Sequence, residues 1–95
     1  MTKDIDALLY HLDQLVSIHK RNGDMWVDFF ESAREKILKD AAFGCEYLIM
    51  AWHGIGGYDE TTTVKNEKDE SARRILHPQI YELASEIKND RNKAA

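Results

Sequence analysis

The sequence predicts an all-α protein, a compact bundle of four to five helices with a glycine-rich turn and an acidic loop. Apolar residues recur at three- and four-residue steps along most of the chain, which is the period of an amphipathic helix. Most of the glycines stand between those periodic segments, where they mark helix ends. A chain of 95 residues has room for one domain, and we assign residues 1–95 to it, with an ordered core from about 4 to 89.

The first two helices are predicted from their apolar stripes and from the residues that end them. The first runs from about Asp4 to Lys20, and Gly23 stops it. His19 continues the apolar stripe, and we interpret it as an imidazole at the edge of the core with a local partner. Asp24 is predicted to cap the second helix, which continues to about Lys39. Its inner face is apolar and aromatic: Trp26, Phe29, Phe30, Ala33 and Ile37.

The third helix is the most apolar segment, and it is predicted to be central. Asp40 can cap its start, and apolar residues broaden its stripe until nearly every side is apolar, which is typical of a helix surrounded by neighbours. Gly44 lies inside this helix, where glycine costs about 1 kcal/mol relative to alanine. We interpret it as a point of close helix approach, where Gly44→Leu is far worse than Gly44→Ala. Cys45 is the only cysteine and is predicted to be a small buried hydrophobe.

The last part of the chain contains the glycine-rich turn, the acidic loop and the final helix. Gly54 suits the left-handed position after a helix, with Ile55 folding back onto the last turn. A phosphate cradle is disfavoured, because the glycines follow a helix and lead into acidic residues. Residues 58–70 are predicted to be a loop, whose end at residues 66–70 looks like the start of a helix. The final helix is predicted from about Asp69 to Asn89, with a break at Pro78.

Charge and hydropathy exclude several classes of function. The net charge of −4 argues against nucleic acid and against acidic membrane surfaces as partners. Residues 59–70 carry five acids and two lysines, a net charge of −3. No apolar run reaches the roughly 20 residues that span a bilayer, and the first residues lack the pattern of a signal peptide. We therefore expect a cytoplasmic protein.

Two motifs carry a resemblance to a family of small bacterial helical proteins that has no assigned activity. Residues 51–60 read AWHGIGGYDE, and residues 80–84 read IYELA. The family is similar in its glycine-rich turn, in a glycine within the preceding helix and in its last helix. The chain departs from it at His53, Gly57, Asp59 and Glu60. The resemblance implies a helical fold and a bacterial or phage origin, and it implies no activity.

No pattern in the sequence indicates catalysis or a cofactor. The metal motifs H-E-x-x-H and E-x-x-H are missing, and no serine stands in a nucleophile elbow. His53 and His77 could meet in space, because one follows the central helix and the other precedes Pro78. A metal-assisted enzyme at that pair is the third and weakest interpretation. We predict no enzyme, no metal and no cofactor.

The sequence favours a protein-binding function, with the surface around the acidic loop as its site. Aromatic or apolar anchors inside a charged rim suit a compact binder, and acidic rims speed capture of a basic partner. We therefore expect an inhibitor or an immunity-type partner of a basic protein, such as a toxin or a defence effector. The alternative is a self-associating protein, in which the apolar central helix packs across a homodimer. The competing structural interpretation is that the apolar anchors belong to the core and that the acids are simply solvated. The predicted binding residues are Trp52, Ile55, Tyr58, Asp59, Glu60, Glu67, Asp69 and Glu70.

Overall fold

The computed structural model describes residues 2–23, 26–53, 58 and 64–94, with side chains over 4–23, 26–53, 58 and 64–89. It confirms the all-α class, and no strand occurs among those residues. The radius of gyration is 12.9 Å, close to the ~13 Å expected of a compact domain of this size. The helices are α1 (Thr2–Asn22), α2 (Trp26–Lys39), α3 (Ala41–Ile49), a short 3-10 turn (Met50–Trp52) and α4 (Glu67–Ala94).

The end of α1 follows the prediction closely. Asn22 is its last residue, and Gly23 adopts a positive φ of 64°, a left-handed conformation that glycine enters without strain. The predicted cap at Asp24 lies outside the described residues. The described side chains of α1 and α2 meet across a tight core, whose members include Leu8, Leu12, Leu15, Phe30, Ala33 and Ile37.

The corner between α2 and α3 is a single residue, Asp40. Its carboxylate accepts a hydrogen bond from the Phe43 backbone N–H at 3.1 Å, which confirms the predicted N-cap. Gly44 lies against the last turns of α2. A Cβ there would be 2.6 Å from the carbonyl carbon of Lys36, closer than real side-chain carbons approach a backbone. The prediction of a close helix approach at Gly44 is therefore confirmed.

The prediction that α3 is surrounded on nearly every side is wrong. Phe43 is 53 % exposed and Met50 is 60 % exposed, although both were expected within the apolar stripe. Because α3 is only nine residues long and is followed by the 3-10 turn, one side of it packs on α2 and α4 and the other faces solvent. Cys45 and Leu48 lie on the packed side and are fully buried.

The predicted break at Pro78 is also wrong, because α4 continues through it from Glu67 to Ala94. Proline removes one helical hydrogen bond and costs about 3 kcal/mol. Ile80, Ala84 and Ile87 follow it on the same helix and are buried. Burial of each large apolar side chain contributes about 1.5–3 kcal/mol, so the packing of the second half of α4 outweighs the penalty.

Polar side chains fasten the end of α1 to the start of α4. The Asn66 side chain caps α4 by accepting the Asp69 N–H at 3.0 Å. The Asn22 side chain accepts the Asn66 N–H at 3.3 Å and donates to Asp69 Oδ2 at 3.0 Å. Arg21 completes the group with a bond of 2.7 Å to Asp69 Oδ1. The two helices therefore run antiparallel, and this corner sets the level at which α4 begins.

Within the described part of the chain, no helix combines the length and apolar character needed to cross a membrane.

Candidate functional site

An open cleft lies between the 3-10 turn and the middle of α4. It has a volume of about 300 Å³, at the lower end of the range of ligand pockets. We call it the aromatic cleft and define it by the described residues that line it: Trp52, His53, His77, Pro78 and Tyr81. The α4 members stand at spacings of three and four residues, so they share one side of that helix.

Trp52 and His77 form the floor of the aromatic cleft. The indole Nε1–H of Trp52 donates to His77 Nδ1 at 3.2 Å, and the two rings are nearly parallel with centroids 6.2 Å apart. Because Nδ1 accepts this bond, a neutral His77 ring carries its proton on Nε2. The bond therefore fixes both the orientation of the indole and the tautomer of the imidazole.

Tyr81 and His53 form the rim. The Tyr81 ring meets the Trp52 ring at 5.6 Å and the His53 ring at 6.1 Å. His53 is exposed, whereas Tyr81 and Trp52 are partly buried. The cleft therefore has a rigid aromatic base and a solvent-exposed edge.

Tyr58 lies beneath the cleft, and it corrects one predicted site residue. We expected it as a surface anchor, but its side chain is fully buried. Its ring is 5.5 Å from Trp52 and 5.2 Å from Phe30. Tyr58 therefore belongs to the core, where it supports Trp52 from below.

The hydroxyl of Tyr58 forms a buried hydrogen bond with His19 Nε2 at 2.7 Å. His19 is fully buried as well, so the expectation that it lies at the edge of the core is wrong. Tyr58 stands 39 residues away along the chain. The bond connects α1 to the segment that follows the 3-10 turn.

A buried ion pair holds the start of α4 against the Tyr58 ring. Arg73 is 4 % exposed, and its guanidinium lies 5.3 Å from the centroid of Tyr58. It donates two hydrogen bonds to Glu70, at 2.7 and 2.8 Å. Glu70 also accepts from Arg74 and from the Val64 N–H. The Arg73 hydrogen bonds are the main reason that the pKa of Glu70 falls to about 2 and that the pKa of Arg73 rises.

Two further acids of the predicted surface differ in their surroundings. Asp69 is paired with Arg21, and that hydrogen bond is the first cause of its lowered pKa. Glu67 is exposed at the start of α4. The charges of Asp69 and Glu70 are therefore paired with arginines of the same chain, whereas the Glu67 carboxylate is exposed to solvent.

The remaining predicted site residues divide into two groups. Trp52 lies in the aromatic cleft, and its contact with a partner stays a prediction. Ile55, Asp59 and Glu60 lie outside the described residues, as does the predicted cap at Gly54. The sequence interpretation missed Pro78 and Tyr81 as neighbours of Trp52. Their three-residue spacing on one helix was the available signal.

Among the described residues, no group of three His, Cys, Asp or Glu side chains is close enough to hold a metal ion. Burial raises the pKa of Cys45 to about 11, so its thiol is protonated and unreactive at neutral pH. The aromatic cleft presents the rings of Trp52 and Tyr81 and the exposed imidazole of His53.

Comparisons with protein-family models, with curated proteins and with solved structures found nothing that matches this chain.

Proposed function

We propose that this chain is a small protein-binding protein, an inhibitor or immunity-type partner of a basic protein such as a toxin or a defence effector. Its binding surface is the aromatic cleft together with Asp59, Glu60 and Glu67, three acids of the predicted loop, whereas Asp69 and Glu70 are paired with arginines.

The observation that carries the proposal is that Trp52, which is only partly buried, lines an open cleft. Tryptophan is among the residues that most often dominate a protein interface, especially where a rigid pocket surrounds it. Here Trp52 is held by the hydrogen bond to His77 and supported by Tyr58. A side chain held this firmly loses little conformational freedom on binding, which favours affinity.

The charge of the chain supports a basic partner. Its net charge is −4, and Asp59 and Glu60 follow Trp52 at seven and eight residues along the sequence. Acidic side chains around an aromatic anchor raise the rate of encounter with a basic protein and penalise acidic competitors. Because Asp69 and Glu70 are paired with arginines, we place the acidic part of the proposed binding surface at Asp59 and Glu60 and not at the start of α4.

The test is quantitative capture of proteins by three baits. The first is the wild-type chain, the second carries Asp59→Lys and Glu60→Lys, and the third carries Asp6→Lys and Glu35→Lys. Asp6 and Glu35 are exposed on α1 and α2, so the third bait has the same total charge as the second. We expect one basic protein to bind the first and third baits and to be lost from the second.

Equal capture by all three baits would contradict the proposed surface. Loss from both charge-reversed baits would show that only total charge matters. Thermal unfolding of each bait checks that the substitutions leave the fold intact.

Self-association is the second candidate, and the outer side of α3 favours it. Phe43 on α3 and Met50 at the start of the 3-10 turn are seven residues apart, and each is more than half exposed. Two such residues on one helix side can pack against a second copy. A sedimentation coefficient that rises with concentration in the wild type, and stays constant in Phe43→Lys, would support a homodimer. A concentration-independent monomer would dispose of it.

A further inference from the structure

We propose that the aromatic cleft receives an arginine side chain of the basic partner. The inference rests on the proposed function and adds the chemical group that the cleft recognises. Three features of the described residues carry it: the ring surfaces, the use of the Trp52 N–H and the charges around the cleft.

The ring surfaces suit a cation, and the same molecule already uses aromatic rings in this way. Arg73 lies 5.3 Å from the centroid of Tyr58, and Lys36 lies 4.6 Å from that of Tyr47. Tryptophan is the type of aromatic residue that attracts cations most strongly, and Trp52 lines the cleft. Among the described residues, no lysine or arginine lies over Trp52 or Tyr81. These two rings therefore remain for a cation from outside the chain.

The hydrogen bond of Trp52 argues against a peptide carbonyl or an anion as the occupant. Aromatic grooves that dock proline-rich peptides combine ring surfaces with polar groups that fix the peptide's orientation. In this cleft the indole N–H already donates to His77 Nδ1 at 3.2 Å. A carbonyl or carboxylate placed over Trp52 would gain no hydrogen bond from it, whereas a cation needs only the ring face.

The charges around the cleft also favour an arginine. No lysine or arginine is among the described residues that line the cleft, so neither of these side chains repels an entering cation there. Glu82 is exposed on α4, four residues beyond Pro78, which places it one helical turn from the cleft wall. Arg74 lies one turn on the other side of Pro78, and its charge is paired with Glu70 at 2.7 Å. Arginine is preferred over lysine because its planar guanidinium stacks on aromatic rings and is weakly hydrated.

The experiment titrates the full chain with two blocked tripeptides that differ only in charge. One is acetyl-Gly-Arg-Gly-amide, and the other replaces arginine with citrulline, which has nearly the same shape and is neutral. The readout is the indole N–H resonance of Trp52 in ¹⁵N-labelled protein, assigned with Trp26→Phe. We expect the arginine peptide to shift this resonance saturably, and the citrulline peptide to bind about tenfold more weakly.

Matched variants locate the effect. Tyr81→Leu should lower the affinity for the arginine peptide to that for the citrulline peptide. Tyr81→Phe keeps the ring and should leave the affinity unchanged. Tyr10→Leu removes a tyrosine that is 63 % exposed on α1 and should bind the arginine peptide like wild type. If Tyr81→Leu fails to fold, the comparison of the two peptides on wild type still decides the question.

Equal binding of the two peptides, or no shift of the Trp52 resonance, would overturn the arginine assignment. That result is distinct from failure of the proposed function, which is judged by the three baits. If the baits capture a basic protein as expected but the two peptides bind equally, the proposed binding surface stands and only the assignment of arginine to the cleft is wrong.

Discussion

Gly44 offers a test in which two physical effects predict opposite signs. Replacing a glycine inside a helix with alanine normally stabilises a protein by about 1 kcal/mol, because alanine loses less backbone freedom on folding. At Gly44 the new methyl group would lie 2.5 Å from the Cα of Ile37 and 2.6 Å from the carbonyl carbon of Lys36. Both are backbone atoms, so no side-chain rotation can relieve the overlap.

The expected result of Gly44→Ala is a net loss of stability. Adding a carbon to a tightly packed contact typically costs about 1–3 kcal/mol, and more when the backbone must shift. The gain in helix propensity offsets only part of this, so we expect unfolding to become easier by about 1–2 kcal/mol. In a domain of this size, each kcal/mol lowers the melting temperature by roughly 4–8 °C.

Urea unfolding followed by circular dichroism at 222 nm measures this change, provided that the m-value stays constant. Gly23→Ala is the matched control, because it adds the same methyl group where no atom lies within 4 Å but φ is +64°. Its expected cost is about 1–2 kcal/mol and arises from backbone conformation alone. Gly44→Ala with wild-type or greater stability would refute the close approach of α2 and α3. The expectation that Gly44→Leu is far worse than alanine stays a prediction, although much of the penalty already comes with the first carbon.

Two further substitutions test the interactions beneath the cleft. Tyr58→Phe removes the hydroxyl bonded to His19 Nε2 in the core and should lower the free energy of unfolding by about 1–3 kcal/mol. Glu70→Gln should destabilise by a similar amount, because Arg73 loses its buried carboxylate partner. The pH dependence gives this second prediction a sign. Because the pKa of Glu70 falls from 4.5 to about 2 on folding, its stabilisation is fully present above a pH of about 4.5 and is lost as the pH falls towards 2.

Each of these predictions has its own control. Tyr10→Phe deletes a hydroxyl from an exposed tyrosine and should change stability by less than about 0.5 kcal/mol. If Tyr58→Phe changes the free energy of unfolding no more than Tyr10→Phe does, the hydrogen bond to His19 contributes little to stability. For Glu70, stability curves of wild type and Glu70→Gln are compared between pH 7 and pH 2, and they should converge at the acid end. Curves that stay parallel throughout would rule out a depressed pKa at Glu70.

The sequence predicted the features of this fold that depend on neighbouring residues. Asp40 caps α3 and Gly23 ends α1, because a capping carboxylate or a left-handed glycine acts within one helical turn. Gly44 was predicted as a close approach because glycine inside an apolar helix calls for a packing reason. These rules involve residues close together in the chain, so they can be applied to a single sequence without knowledge of the fold.

The features that the sequence did not predict depend on residues far apart in the chain. Tyr58 occurs in an acidic stretch and resembles a surface residue, but His19 and Arg73 hold it in the core. Pro78 is locally a helix breaker, and packing of the residues after it keeps α4 continuous. In the same way, Trp52 was predicted as an anchor, but the cleft around it could not be predicted, because the sequence does not show which side of α4 lies next to Trp52.

The contacts of α4 bear on when this protein can fold during synthesis. Ile80, Ala84 and Ile87 complete a core with Leu8 and Leu12 of α1, and the corner of Asn22 and Asp69 joins positions 47 residues apart. A nascent chain that has presented only α1–α3 at the ribosome can pack α1 on α2, but the part of the apolar side of α1 that α4 covers stays exposed until α4 emerges. Folding to the closed bundle is therefore expected to follow translation of α4, and the unclosed intermediate is the species that would engage chaperones.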